Sequence, residues 1–591
     1  MLANIGSKAR VFWLSLLFSA LFSIHTGVVA QDVQWADYMD YKEMTNSLKN
    51  WTSNNPKLTS LSSIGKSYEG RELWLVTVTN SEKGASEDKP ALYVQGGIDS
   101  DEIISTQSAM YLLNKLLTKY GIDENITRLV DNYTLYLLPN LIPDQSERYH
   151  HLPISVRDST TRPYDNDNDG LFDEDDQEDI DGDGRVLQMR VRNPQGAYQL
   201  SKEDSRVMVT RDPLAVNHDG PFYDLYPREG IDNDQDGLIN EDAVGGVDPN
   251  RNWPAHWRQE YAQEWAGPYP LSEIETRSLA EFYFGHPNIG MIIDLHSTGN
   301  HLYRPSSVNT DDMMDLQDLN YYKTLGKLYS NVTNGPVWTP WERSKSGGKT
   351  GTPRTGILMD WAYEHLGVFS FVPELWNFPF DKNQKALIGA PEGEKIDWAL
   401  KNFGREVWTD WYEVEHPDLG KVELGGWNKP MPNNPMGKYV ERVADEITTW
   451  LLQVWQKLPY LKVDTDVKVL KKNQYKIVVK ISNTGFMPTN VTNRALTTEM
   501  VMPIFLTVES SGASVLAMTG AETGKLYGRS GLVLGHLAGW KNAKVTQKNR
   551  TEGGRNIKFV ELIVEKTNDA SEIEITVNGQ RAGVVREVIA L

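Results

Sequence analysis

Hydrophobic and polar positions alternate with two different periods in the first quarter of the chain. Residues 41–51 and 105–117 place apolar side chains every three or four positions, which predicts amphipathic helices. The segments 72–78, 92–95 and 133–138 are short and mostly apolar, which is typical of buried strands. Helices that alternate with buried strands predict an α/β fold, with a mixed, largely parallel sheet flanked by helices.

The same alternation returns after a long interruption. An insertion at about residues 160–245 consists of acidic segments that contain Gly and Pro and that we interpret as loops. Beyond it, the pattern predicts a helix over 272–284, a buried strand over 290–295 and a closing amphipathic helix over 439–455. We therefore expect residues 31–460 to form one α/β domain that carries the acidic insertion.

The character of the chain changes after Pro459. No helical period of useful length appears there, and turn signals such as Asn483-Thr484-Gly485 separate strand-like runs. We expect residues 461–591 to form an all-β sandwich of immunoglobulin-like type that either stabilises the first domain or contacts a partner. The predicted strands are 475–481, 503–508, 557–564 and 573–577.

The N-terminus, the cysteine content and the charge limit the cellular location and the partners that we expect for this protein. Lys8 and Arg10 precede a short apolar run, and small residues end at Ala30, which predicts a signal peptide over 1–30 and a secreted mature protein. No later stretch is apolar enough to predict a membrane span. The chain has no cysteine, which excludes disulfides and thiolate ligands. A net charge of −20 argues against nucleic acid as a partner.

Two separated segments end apolar runs and carry candidate metal ligands. Residues 96–102 include Glu102, and residues 294–297 include His296, so both follow predicted strands. Loops at strand ends are where α/β proteins place their sites. A carboxylate, Glu374, follows another buried run. Two or three N or O ligands beside a carboxylate base are the parts of a metal-assisted hydrolase.

Six motifs occur in the order found in one known family. They resemble the zinc carboxypeptidases of the carboxypeptidase A type over roughly residues 38–460, and the acidic insertion and β domain suggest a secreted bacterial-type member. The resembling stretches are I-G-K-S-Y-E-G-R-E-L-W at 64–74, G-G-I-D-S-D-E at 96–102, P-D at 143–144, D-P-N-R-N-W at 248–253, D-L-H-S at 294–297, and D-W-A-Y at 360–363 with S-F-V-P-E-L at 370–375.

The resemblance implies a zinc site with one unusual ligand. Asp99 stands where the family has its first histidine, so the implied ligands are Asp99, Glu102 and His296. A set with two carboxylates is harder, more anionic and less selective for zinc than one with two histidines. The resemblance also makes Glu374 the general base, and a buried position would raise its pKa as such a base requires.

The resemblance also implies how a substrate binds. Asn250 and Arg251 would hold a terminal carboxylate, because arginine's planar fork fits a carboxylate and asparagine adds a neutral donor. Ser297 and Met359 are further substrate-binding candidates, and Met359 favours an uncharged C-terminal residue. The family's oxyanion arginine corresponds to Arg162 or, alternatively, Arg157. The family's mobile tyrosine has no counterpart in residues 352–358.

The acidic insertion contains three patterns typical of calcium loops. Oxygen ligands recur at alternate positions with glycine at the sixth, as in the loops of calcium-binding proteins, although flanking helices are not evident. Residues 179–184 hold a third, less complete copy. Solvated acidic loops without calcium are the alternative. The predicted ligands are Asp165, Asp167, Asp169, Asp173 and Asp176 in the first loop, and Asp232, Asp234, Asp236 and Asn240 in the second.

These features favour one function and leave two alternatives. The leading hypothesis is a secreted zinc carboxypeptidase, with structural calcium, that acts on peptides or proteins with a free C-terminus. The alternatives are a catalytically silent peptide- or glycan-binding protein on the same fold and an amidase that acts on cell-wall peptides. Nothing in the sequence indicates an oligomeric state.

Overall fold

The computed structural model describes residues 33–153, 158–166, 169–212, 220–345, 353–378, 390–428, 433–526, 528–540 and 556–591. The predicted signal peptide, Arg157 and Asp167 lie outside these residues. The helices are α1 (Tyr41–Asn54), α2 (Ile103–Lys119), α3 (Glu124–Asn132), α4 (Pro143–His151), α5 (Ile274–Gly285), α6 (Leu316–Thr333), α7 (Pro340–Lys345), α8 (Leu358–Glu364), α9 (Glu392–Phe403), α10 (Lys438–Trp455) and α11 (Asn493–Thr497).

The strands run through the whole chain and belong to four sheets. They are β1 (Thr59–Lys66), β2 (Glu72–Val78), β3 (Ala91–Gln95), β4 (Thr134–Leu138), β5 (Gln188–Arg192), β6 (Tyr198–Leu200), β7 (Met208–Thr210), β8 (Phe222–Tyr226), β9 (Ile289–Asp294), β10 (His301–Tyr303), β11 (Val337–Trp338), β12 (Phe369–Glu374), β13 (Trp408–His416), β14 (Gly420–Trp427), β15 (Leu461–Lys471), β16 (Gln474–Asn483), β17 (Ile504–Ser511), β18 (Ala513–Thr519), β19 (Glu522–Leu526), β20 (Arg529–Gly535), β21 (Ile557–Lys566), β22 (Glu572–Asn578) and β23 (Val584–Ala590).

An eight-stranded mixed sheet with the order β1-β2-β4-β3-β9-β12-β10-β11 forms the centre of the larger domain. Its four middle strands, β4, β3, β9 and β12, are parallel to one another. The carboxyl ends of these strands therefore meet at one edge of the sheet. This arrangement confirms the predicted α/β class.

Both faces of this sheet are buried, as the apolar strands predict. Successive residues alternate between two cores: Val94 and Ile293 lie in one, and Tyr93 and Ile292 in the other. Helices α2, α6 and α10 cover the first face, and α5 and α8 cover the second. The closing helix α10 packs on both α2 and α6, so the end of the predicted first domain returns to its beginning.

The acidic insertion contains more regular structure than the sequence predicts. Strands β5 to β8 join β13 and β14 in a six-stranded antiparallel sheet. Each insertion strand has only three to five residues. The pairing of β5 with β14 joins segments more than 200 residues apart. Local periodicity cannot reveal such short strands, because their partners lie far away in the sequence.

Residues from Leu461 onward form two antiparallel sheets with a shared apolar core. One has the order β15-β16-β21-β18 and the other β19-β20-β17-β22-β23. The strands predicted at 475–481, 503–508, 557–564 and 573–577 correspond to β16, β17, β21 and β22. The short helix α11 and strands β15, β18, β19, β20 and β23 were not predicted. None of the helices in the described part of the chain is both long and apolar enough for a bilayer.

Candidate metal centre and active site

The three predicted zinc ligands lie at the carboxyl edge of two neighbouring strands. Asp99 and Glu102 are in the turn that connects β3 to α2, and His296 follows β9 by two residues. The turn folds tightly because Gly97 has a left-handed backbone (φ 64°), and a Cβ there would lie 2.6 Å from Asn140 Oδ1. Because β3 and β9 are paired neighbours in the sheet, the sheet sets the separation between the loops that carry Asp99, Glu102 and His296.

The side chains of these residues converge on one point. His296 Nδ1 lies 2.9 Å from Asp99 Oδ2 and 3.3 Å from Glu102 Oε2. One ligand atom from each residue lies within 4.8 Å of the other two. One nitrogen and two carboxylate oxygens that face each other fit a zinc ion with a remaining open position. The structure thus brings all three predicted ligands together, including the unusual Asp99.

Two neighbouring residues hold the ligands in place. Asp294 Oδ2 lies 3.1 Å from His296 Nε2, and its other oxygen accepts a 2.8 Å bond from Gln95 Nε2. With Nε2 directed at Asp294, Nδ1 is left to face the metal position. The backbone N–H of Ser297 donates to Glu102 Oε2 at 2.6 Å, and its hydroxyl donates to the carbonyl of Asn433. The described bonds of Ser297 therefore support Glu102, and its predicted substrate contact stays a prediction.

The charges at this site call for a cation. Burial raises the pKa of Glu102, and the charge of Asp99 adds to this effect, so its pKa reaches about 8. Burial alone would lower the pKa of His296, but the negative charges of Asp99 and Asp294 outweigh it and raise the pKa well above the usual value. Buried carboxylates are expensive unless an opposite charge compensates them. A divalent ion held by Asp99, Glu102 and His296 would provide that compensation.

Glu374 lies at the end of β12, beside the ligand histidine. The backbone of this segment is bonded to the loop of His296: His296 N–H donates to Pro373 O and Leu375 N–H donates to His296 O, both at 3.0 Å. Burial raises the pKa of Glu374 well above its usual value, and the charge of Glu102 raises it further. A carboxylate with a raised pKa beside a metal position has the property of a general base.

The predicted carboxylate-binding pair also reaches this edge of the sheet. Asn250 Nδ2 lies 3.5 Å from His296 Nε2, and Asn250 Oδ1 accepts a 3.2 Å bond from Leu358 N–H. Arg251 donates to Asn250 O at 2.7 Å, and its guanidinium lies 3.6 Å from Asp248. Asn250 therefore lies beside His296, and Arg251 is bonded to the carbonyl of Asn250.

A small apolar cluster lies next to this pair. Met359 packs with Ile357, Val372 and the half-buried Tyr303. Met359 is the second residue of α8. It follows Leu358, whose N–H donates to Asn250. The predicted specificity residue thus lies in a small buried apolar cluster close to Asn250.

The structure places the predicted oxyanion residue in another environment. Arg162 forms a bidentate ion pair with the buried Glu273, with its Nη2 2.8 Å from Oε1 and its Nε 3.1 Å from Oε2. Its described bonds do not include the metal ligands or Glu374, so its oxyanion role stays a prediction without structural support. The alternative, Arg157, lies outside the described residues.

Sequence reasoning missed two residues of the site. The positive charge of Arg354 counteracts the raised pKa values of Asp248 and Glu374 and helps to lower the pKa of Asp99. Tyr303 lies near enough to Glu374 for the carboxylate's charge to raise the tyrosine pKa, after the larger effect of burial. A signal for Tyr303 existed in the sequence, because it lies only seven residues after His296, far from residues 352–358 where the family resemblance implies a tyrosine.

The acidic loops have the turn structure that their sequence predicts. Asp165 and Asp232 each accept a bond from the glycine N–H five residues later. Carboxylates of Asp232, Asp234 and Asp236 lie within 4.8 Å of one another, and Asp179, Asp181 and Glu229 form a second such group. A third group, Asp169 and Glu174 with Asp234, bridges the two loops. Other predicted ligands make different contacts: Asp176 pairs with Arg148, Asp173 accepts from Tyr164 and Gly245, and Asn240 donates to Arg228 O.

The first two loops are interlocked by two fully buried aspartates. The eleventh residue of each loop accepts bonds from the second and ninth residues of the other, so the pair has approximate two-fold symmetry. The bonds are Asn233 Nδ2 to Asp175 at 3.0 Å, Asn240 N to Asp175 at 3.1 Å, Asn166 N to Asp242 at 3.2 Å and Asp173 N to Asp242 at 3.2 Å.

Comparison with known proteins identifies the class that this fold and site define. Residues 44–181 and 185–394, more than half of the chain, match the zinc carboxypeptidase family. The chain belongs to this family. Residues 462–590 match a family described as a domain of unknown function.

Individual relatives are distant. Zinc carboxypeptidase A 1 of Drosophila melanogaster is 25% identical over 340 residues, which cover 56% of this chain and 59% of the relative. Carboxypeptidase B of Astacus astacus is 23% identical over 393 residues, 64% of this chain and 100% of the relative. The crystal structure of carboxypeptidase A from Helicoverpa armigera has a TM-score of 0.39 and 14% identity, and the match covers 60% of this chain and 68% of that one.

Proposed function

We propose that this protein is a metal-dependent carboxypeptidase that releases single residues from the free C-terminus of a peptide or protein. The observation that carries the proposal is the meeting of three groups at one sheet edge. These groups are the ligand set with its N and two O donors, the carboxylate Glu374, and the pair Asn250 and Arg251. Membership of the zinc carboxypeptidase family supports the same reaction.

The residues of the chain divide the work of hydrolysis between them. Asp99, Glu102 and His296 would hold a zinc ion, which supplies Lewis-acid chemistry and acidifies a bound water. Glu374 accepts the proton of the attacking water on its carboxylate and passes it to the leaving amine. The raised pKa of Glu374 suits this exchange, because the same group must both take and release a proton.

Substrate recognition rests on Asn250, Arg251 and the apolar cluster around Met359. Arg251 and Asn250 bind the terminal α-carboxylate, which places the last peptide bond next to His296. The side chain of the terminal residue then points into the cluster of Tyr303, Ile357, Met359 and Val372. An apolar lining favours an uncharged terminal residue.

We also propose that the acidic loops bind structural calcium and that the mature protein is secreted. Support comes from the three carboxylate groups of the insertion and from the N-terminal pattern that ends at Ala30. If calcium binds only the folded protein, saturation at about 100 times Kd adds about 2.7 kcal/mol to the free energy of unfolding. EGTA should therefore lower the thermal midpoint at constant ionic strength, and an identical midpoint with and without calcium contradicts the calcium proposal.

The decisive experiment for the function compares a peptide with its C-terminally amidated twin. The purified, zinc-loaded protein should release the terminal residue of the free acid and leave the amide intact, because the amide offers no carboxylate to Arg251. Arg251→Ala should reduce activity on the free acid mainly through KM, whereas Arg192→Ala serves as an arginine control, because Arg192 is 72% exposed and pairs with Glu423 on the surface. Equal cleavage of both peptides would favour an amidase, and binding without cleavage would favour a catalytically silent protein.

A further inference from the structure

The C-terminal β domain contacts the larger domain through a buried arginine that has only carbonyl partners among its described bonds. Arg581 is 4% exposed and precedes β23. Its guanidinium donates to Gly367 O at 2.8 Å, to Leu366 O at 2.5 Å and to Met500 O at 3.2 Å. Burial without a facing carboxylate lowers the pKa of Arg581 to about 9. A buried cation on backbone carbonyls is costly, so the contact indicates a specific role.

Two of the three carbonyls that Arg581 binds, those of Leu366 and Gly367, belong to the turn that follows helix α8, and the third belongs to Met500 of the β domain itself. The last carbonyls of a helix have no partner within the helix and carry its negative end. Further side chains of the β domain bind the same turn: Arg494 donates to Glu364 O at 2.9 Å, and Thr492 donates to Gly367 O at 2.6 Å. One cation of the β domain thus caps the last residue of α8, and a second cation and a hydroxyl hold the turn that follows it.

The larger domain binds the β domain in return. Asp318 of α6 is fully buried and accepts bonds from the backbone N–H groups of Asn493 and Arg494, at 2.8 and 3.1 Å. Tyr363 of α8 donates to the same carboxylate at 3.1 Å. The start of α11 and the end of α8 are therefore joined through one buried carboxylate.

The two domains also share apolar packing at this place. Phe486, Met487 and Val491 lie in the same apolar core as strands β9 and β12 of the larger domain. At Gly367 (φ 61°), a Cβ would come within 2.4 Å of the backbone of Ala495. Only glycine allows this close approach, so the turn after α8 and the β domain fit against each other backbone to backbone.

Helix α8 also reaches the candidate active site, at the end opposite to the turn that the β domain binds. The first residue of α8, Leu358, donates its N–H to Asn250, and the next residue, Met359, belongs to the buried apolar cluster beside it. After the capped turn the chain continues as β12, which ends at Glu374. One continuous segment, residues 358–374, therefore contains the turn that the β domain binds, the cluster residue Met359 and the proposed base Glu374.

We propose that the C-terminal β domain is an intramolecular clamp whose binding partner is the α8–β12 segment of its own chain, and that Arg581 is a positioning residue for the active site. The consequence for catalysis rests on the proposed carboxypeptidase function, but the clamp itself does not. This assigns a role to a region whose family has no described function.

The test measures amide hydrogen exchange across residues 358–374 in the full chain. Arg581→Met should accelerate exchange there by about tenfold or more, because buried carbonyls lose a charged donor. Arg581→Lys keeps the charge and should preserve part of the protection. The matched control is Arg586→Met, which removes an arginine of the same domain that pairs with Asp88 on the surface and is 50% exposed. If Arg581→Met does not fold, Arg494→Met provides a milder loss at the same helix end.

Two outcomes overturn the clamp. One is unchanged exchange over 358–374 in the Arg581 or Arg494 variants, and the other is an equal acceleration in Arg586→Met. Activity gives a second readout: the clamp predicts a lower kcat for Arg581→Met with zinc content unchanged and partial rescue by Arg581→Lys. If the wild-type protein cleaves no peptide, the proposed function fails while the exchange result still decides the clamp.

Discussion

Asp294 offers a sharp test of the metal centre, because it touches the ligand histidine without being a ligand itself. It is 1% exposed and connects Gln95 to His296 Nε2. Asp294→Asn keeps the shape of the side chain and removes its charge, so the histidine loses the carboxylate that orients its ring. We expect the zinc ligands to remain in place but to bind zinc more weakly.

Two independent arguments give the size of this effect. Loss of a carboxylate behind a ligand histidine typically costs about 10- to 100-fold in metal affinity, which corresponds to about 1.4–2.7 kcal/mol. A hydrogen bond to a charged group contributes about 1.5–3 kcal/mol. The two ranges overlap, so we expect the Kd for zinc to rise by one to two orders of magnitude.

The measurement is a competition titration of the metal-free protein against a chromophoric zinc chelator. Peptidase activity should return to near the wild-type value once zinc saturates Asp294→Asn, because all three ligands are still present. Asp445→Asn is the control, since Asp445 pairs with Lys115 on the surface. An unchanged Kd for zinc in Asp294→Asn would refute the orienting role, and activity that stays low at saturating zinc would refute the view that Asp294 acts only through the metal.

Three further predictions concern single carboxylates. Glu374→Gln should lower kcat by about 10²- to 10⁴-fold with zinc content unchanged, and near-normal turnover would exclude Glu374 as the base. Asp99→His should tighten zinc binding, because it replaces a hard anionic ligand by imidazole; a weaker complex in the same chelator titration contradicts this. Glu275 is 2% exposed, and burial raises its pKa to about 7, so its neutral form favours folding: stability is fully present below pH 4.5 and is lost as the pH rises through 7. Relative to the wild type, the free energy of unfolding of Glu275→Gln should therefore rise by up to about 3 kcal/mol between pH 5 and pH 8, as measured by urea unfolding. A difference between the two proteins that does not change with pH refutes this.

The sequence predicted the elements whose signals are local. Strands β3, β9 and β12 are continuous apolar runs, and each candidate ligand or base follows one of them directly. Because parallel strands end at one edge, the order of the motifs was enough to predict that Glu102, His296 and Glu374 meet. Asp99 was predicted from its position in the motif, and the structure brings its Oδ2 within 2.9 Å of His296 Nδ1.

The features that the sequence could not predict depend on partners far along the chain. Strand β5 pairs with β14, which lies more than 200 residues further along the chain. Likewise, Arg162 pairs with Glu273, 111 residues away. Neither partner leaves a periodic signal near the residue that needs it. Arg354 is a similar case, because its charge affects carboxylates at 99, 248 and 374 that the sequence does not place beside it.

The exchanged aspartates of the acidic insertion have a consequence for how this region can vary. Asp175 belongs to the first loop but holds Asn233 and Asn240 of the second, and Asp242 does the reverse for the first. A substitution at either aspartate therefore damages the loop to which it does not belong. Shortening, transplanting or removing one loop alone would leave the buried aspartate of the other loop without its bonding partners. We therefore expect the two loops to change together during evolution.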